Sequence, residues 1–147
     1  MSNKTILTEK VVKHFLDGCN CAQSVLLTMA EYWKCKDESI PKIAAAFGGG
    51  GCVPVCGALI GGVMSIGIRY GTNELLQEKQ LKVNEIAQRF YEQFKKVHGS
   101  IFCRELIGYD LLNPKELEEA QNARAFEKKC TKYLKTAVEL LLTLSEI

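Results

Sequence analysis

The sequence predicts an all-α fold, a compact bundle of about five to seven helices with a glycine-containing helix buried inside it. Three observations carry that expectation. Apolar residues recur at steps of three and four along most of the chain, helix-start residues punctuate it, and no two alternating runs flank a hairpin turn. The 147 residues suit a single domain, 1–147, long enough to bury a core without disulfide staples.

The first helix is expected over 8–16, with Val11, Val12, Phe15 and Leu16 on its apolar side and Gly18 ending it. The second starts after Asn20, which forms a capping box with Gln23, and places Ala22, Val25, Leu26, Met29 and Trp33 at helical spacing. Ser39 and Pro41 open a short third helix that ends near Phe47, before the glycine turn of Gly48, Gly49, Gly50 and Gly51. Pro54 suits the first turn of a fourth helix reaching about Tyr70. That helix reads as buried almost all round. Gly57 and Gly61 leave room for another backbone, while Leu59, Ile60, Val63 and Ile66 fill space elsewhere.

Residues 72–97 read as a long amphipathic helix, or as two, with Leu75, Ile86, Phe90, Phe94 and Val97 inward. Ser100 is expected to cap a short turn containing Cys103, and Asn113, Pro114 and Glu116 form a helix start. In the last helical region Ala120, Ala123, Phe126, Cys130, Leu134, Ala137, Leu141 and Leu144 recur at steps of three or four. Cys130 therefore falls on a buried stripe.

Basic and acidic side chains, 19 and 17, are interspersed, and no basic arm is present, which argues against nucleic acid as a partner. Residues 43–68, IAAAFGGGGCVPVCGALIGGVMSIGI, carry no charge over a length that could span a bilayer. The glycines and Pro54 divide the run, so a buried core helix is expected and no stable membrane insertion. The apolar fourth helix and the C-terminal AVELLLTLSEI also suggest a homodimer. No secretory leader precedes the first amphipathic stretch, so a reducing, cytoplasmic location is expected for the 7 cysteines.

Cys19 and Cys21 flank one helix start, Cys52 and Cys56 bracket another, and Cys103 begins the segment after Ser100. Free backbone N–H groups there would stabilise thiolates, suited either to a metal centre or to nucleophilic attack. Neither local pair has CxxC or zinc-knuckle spacing. Cysteine also packs readily as a small hydrophobe, the simplest reading of Cys130 alone, and Cys35 reads as a boundary thiol. The glycine turn lacks the GK[ST] of a P-loop, and His14 and His98 belong to no HExxH-type grouping.

CGALIG, from Cys56 to Gly61, resembles the CGAxxG motif of a redox-active protein family with four characteristic cysteines, the C_GCAxxG_C_C family. The CAQSVL from Cys21, the AFGGG from Ala46, the Cys103, Glu105, Leu106 element and Cys130 follow the family's order over nearly the whole chain. The resemblance implies Cys21, Cys56, Cys103 and Cys130 as the key thiols, with Cys19, Cys35 and Cys52 outside the set. It suggests an iron–sulfur cluster on those four, for electron transfer with an unidentified electron-transfer protein or for redox sensing. Zinc would take the same four thiolates. A cluster-free thiol oxidoreductase would instead use Cys56 as nucleophile, with Cys103 beside it as resolving thiol. A helical interaction protein whose cysteines merely pack is the third reading.

Overall fold

A computed structural model describes residues 1–35, 37–48, 52–74 and 76–145 of the protein. The helices are α1 (Asn3–Leu16), α2 (Cys21–Tyr32), α3 (Ile40–Ile43), α4 (Gly57–Tyr70), α5 (Gln77–His98), α6 (Cys103–Ile107), α7 (Pro114–Asn122) and α8 (Thr131–Ser145), with a π-helical turn over Phe126–Cys130 before α8. The fold is all-α. Extended pairing among the described residues is confined to one antiparallel bridge, Val55 with Phe102.

Local chemistry explains most helix ends. Ser2 caps α1 by accepting the Thr5 N–H, so this helix begins five residues earlier than its apolar side suggests. At α2 the capping box is complete: the Asn20 side chain accepts the Gln23 N–H at 2.8 Å, and the Gln23 side chain accepts the Asn20 N–H at 3.0 Å. The Asn20 amide also donates to the Ala45 carbonyl at 2.9 Å, tying this helix start to the segment after α3. Asn113 caps α7, with Pro114 at its first position.

Helix α8 packs against α1, α2, α4 and α5, and α4 against α2, α5 and α8. The core between them includes Val11, Val25, Met29, Leu59, Ile66, Phe90, Phe94, Leu134 and Leu141, all at most 2 % exposed. Each such side chain contributes roughly 1.5–3 kcal/mol through burial. The apolar α4, charged only at Arg69 in its last turn, and the apolar end of α8 are thus largely covered within the chain. No helix among the described residues is long and apolar enough to cross a membrane.

Glycine makes the packing of α4 possible. A Cβ on Gly57 would lie 2.8 Å from the Cys21 Cβ, one on Gly61 2.6 Å from the Ala22 carbonyl oxygen, and one on Gly62 2.1 Å from the Phe90 ring. The first turn of α2 therefore lies directly on one side of α4 and Phe90 of α5 on another. Hydroxyls buried in the same region turn back onto their own helices: Ser24 to the Asn20 carbonyl, Thr28 to Ser24 and Ser65 to Gly61, each at 2.7 Å.

Several details depart from the periodicity. Helix α4 begins at Gly57, not in the turn of Pro54, and its Val63 is 39 % exposed. The long helix is one element starting at Gln77, and Val97 in its last turn faces solvent at 60 % exposure. The final region is interrupted: α7 ends at Asn122, Arg124 takes a left-handed φ of 55°, and Ala125 is buried in place of Ala123. Leu75 and the turn glycines 49–51 lie outside the described residues. Gly48 packs on the Asn20 side chain.

Candidate functional site

Four cysteines from four segments line one cavity, together with Gly57, Leu106, Ile107, Phe126 and Tyr133. They are Cys21, Cys56, Cys103 and Cys130. Each arrives by a different local device. Cys21 is the first residue of α2, directly after its Asn20 cap. Cys56 precedes the first residue of α4 as its cap, where the Ala58 and Leu59 backbone N–H groups favour its thiolate. Cys103 opens α6. The Val55–Phe102 bridge joins these last two segments, with the Cys56 N–H donating to the Ile101 carbonyl at 2.7 Å and the Cys103 N–H to the Pro54 carbonyl at 2.9 Å. Cys130 closes the π-helical turn, an irregularity common at functional sites.

The short α6 is fastened to the Cys130 segment through its C-terminal carbonyls. The Tyr133 hydroxyl donates to the Leu106 carbonyl at 2.6 Å, and the Lys129 ammonium to the Ile107 carbonyl at 2.9 Å. These bonds satisfy two acceptors that a helix end leaves free. Ser100 accepts the Phe102 N–H and contacts the Glu105 carboxylate, so it braces the entry to α6 while Phe102 occupies the cap position.

The four thiols are not equivalent. Burial pushes Cys56 up to about 11, prevailing over the two N–H groups that favour its thiolate. Burial, with Cys56 and Cys130 nearby, pushes Cys103 up to about 12. Interaction between the neighbouring Cys21 and Cys130 thiols holds Cys21 well above the ordinary thiol range and draws Cys130 below it. Burial and Glu127 oppose the shift at Cys130, and Lys129 assists it. Placement at a helix start was expected to favour thiolates at Cys21, Cys56 and Cys103. Enclosure in an apolar cavity reverses that field, and the favoured thiolate belongs to Cys130.

The expectation of an iron–sulfur cluster on Cys21, Cys56, Cys103 and Cys130 is overturned, and with it the zinc alternative and cluster-borne electron transfer. Among the described residues no group of three or more histidine, cysteine, aspartate or glutamate side chains is placed to hold a metal ion. The cavity measures about 20 Å³, room for a water-sized molecule and far too little for a cluster.

The remaining cysteines lie elsewhere. Cys19 is partly buried, with its thiol pushed up by burial and by Asp17. Cys35 donates to the Trp33 carbonyl at 3.4 Å, and Cys52 is exposed. Neither histidine reaches the cavity: His14 pairs with Glu31 at 2.9 Å, and His98 packs edge-on between Phe94 and Tyr133. Tyr133 was missed in the sequence. It stands three residues beyond Cys130, and a neighbouring aromatic hydroxyl was the only available signal.

No curated protein and no solved structure matches the chain. A family model described as "Putative redox-active protein (C_GCAxxG_C_C)" matches residues 19–144, a span that contains all four cavity cysteines and the Gly57 and Gly61 seats that bring α2 to them. The chain belongs to this C_GCAxxG_C_C family.

Proposed function

We propose that the chain is a thiol-based redox protein whose working pair is Cys130 and Cys21, cycling between dithiol and disulfide. The observation that carries this reading is that the two thiols, from the start of α2 and the end of the π-helical turn, line the same small cavity and shift one another, Cys21 upward and Cys130 downward. A sulfur drawn toward the thiolate form and a protonated thiol on the same cavity wall are the nucleophile and the resolving group of a dithiol centre.

Cys56 and Cys103 then serve as protonated wall residues at neutral pH. The alternative, with Cys56 as nucleophile and Cys103 resolving it, demands a thiolate where burial opposes one by about two pK units, from 9.0 to about 11. Cys21 is partly exposed whereas Cys130 is 6 % exposed, so an external dithiol reaches the disulfide at Cys21 and releases Cys130 as the leaving thiolate.

Equilibration in glutathione buffers of graded potential, acid trapping and peptide mapping test the pair. A Cys21–Cys130 cross-link should dominate in the oxidised protein and vanish in Cys130→Ser. Seven free thiols under oxidising buffer, or a dominant cross-link between other cysteines, would contradict the reading.

A further inference from the structure

The cavity restricts what can oxidise this pair. Cys130 is 6 % exposed, and the space beside it is about 20 Å³, above the roughly 10–15 Å³ that one water needs but too small for the side chain of a protein disulfide. No charged side chain lines it; Leu106, Ile107 and Phe126 form an apolar wall that disfavours an anionic oxidant. The oxidant that fits is small, neutral and capable of accepting two electrons.

Resting on the Cys21–Cys130 pair proposed above, we infer that hydrogen peroxide is the oxidant, admitted through the cavity to Cys130 and resolved by Cys21. One peroxide oxygen faces the sulfur while the other lies toward the opening. The Cys130 thiolate attacks the near oxygen: an S–O bond forms, the O–O bond breaks, and the departing hydroxide takes a proton from solvent and leaves as water. Cys130 is now the sulfenic acid. The Cys21 thiol, on the same cavity wall, loses its proton and attacks the Cys130 sulfur, forming the S–S bond and expelling a second water. Two thiols have lost two electrons and one peroxide has become two waters. An external dithiol then reduces the disulfide through Cys21, restoring both thiols.

The test uses the full, reduced chain in the presence of a chelator, mixed rapidly with hydrogen peroxide or with tert-butyl hydroperoxide, which carries a bulky group that the cavity excludes. At pH 7 the wild-type protein should consume one hydrogen peroxide per Cys21–Cys130 disulfide and react faster than free cysteine, by at most the roughly thirtyfold that complete ionisation of a thiol would give. The bulky hydroperoxide should react no faster than with free cysteine. Cys21→Ser should accumulate a sulfenic acid on Cys130, trapped by a dimedone-type reagent. Wild type reacting no faster than a folded Cys130→Ser variant would overturn the inference, as would equal rates with the two hydroperoxides in the wild type alone. If Cys21–Cys130 still forms in glutathione buffer, such a result removes peroxide as oxidant and leaves the redox pair standing. If it does not form, both fall together.

Discussion

Gly61→Ala and Gly67→Ala place the same methyl group on the same helix, six residues apart, and should move stability in opposite directions. At Gly67 nothing lies within 4 Å of the new Cβ, so the substitution only reduces unfolded-state freedom and improves helix propensity, a gain of about 0.5–1 kcal/mol. At Gly61 the methyl would sit 2.6 Å from the Ala22 carbonyl oxygen and 3.0 Å from the Val25 Cβ. Neither neighbour is a flexible side-chain tip, so α2 must retreat from α4. Overpacking of this kind costs about 1–3 kcal/mol, and after the propensity gain the net loss is about 1–2 kcal/mol. For a chain of this size, that lowers Tm by about 2–8 °C, while Gly67→Ala raises it by about 1–4 °C. Because Ala22 adjoins Cys21, retreat of α2 also draws Cys21 away from Cys130, so Gly61→Ala should raise the thiol pKa of Cys130 and Gly67→Ala should not. Thermal melts followed by circular dichroism, with thiolate absorbance against pH, read both effects. Equal Tm changes of the same sign in the two variants would refute the packing argument.

Alkaline pH should destabilise the fold. Unfolded thiols ionise near 9.0 while folded Cys56 and Cys103 keep their protons to about 11 and about 12, so the native state holds more protons and stability falls as pH rises through that window. Cys56 alone accounts for about 3 kcal/mol at the top of its range, at 1.36 kcal/mol per pK unit, and Cys56→Ser should flatten the pH dependence of denaturant midpoints between pH 9 and about 11. Asn20→Ala removes the α2 cap and the bond to the Ala45 carbonyl; a loss of about 1–2 kcal/mol in urea unfolding is expected, and a loss below a few tenths would contradict the role given to this side chain. Tyr133→Phe leaves the Leu106 carbonyl without its donor, costing about 1–2 kcal/mol and speeding amide exchange in α6; unchanged exchange would show that α6 is held by other contacts.

The sequence was most informative where one local rule decided the outcome. Asn20 with Gln23, and Asn113 with Pro114, marked helix starts that the structure reproduces, since capping depends on residues three apart or closer. Gly57 and Gly61 were legible as seats for a neighbouring backbone, although only the fold shows that Ala22 and Cys21 occupy them. The Arg124 turn and the π-helical register that sets Cys130 were not legible, because uniform steps of three and four continue through both. The bridge bringing Cys103 beside Cys56 joins segments almost fifty residues apart in isolated extended geometry, without an alternating pattern. The cysteine preferences were misread for a related reason. Helix-start fields are local and visible in sequence, whereas the burial that overrides them at Cys56 and Cys103 is created by α8, Leu106, Ile107 and Phe126 closing the cavity.

The thiolate absorbance of wild type minus that of Cys130→Ser, followed against pH in reduced protein, tests most directly whether Cys130 is the activated member of the pair. The difference curve should have its midpoint below 9.0, and Cys21→Ala, which removes the neighbouring thiol that draws Cys130 down, should move the Cys130 transition upward. A midpoint at or above 9.0, unmoved by Cys21→Ala, would contradict the account.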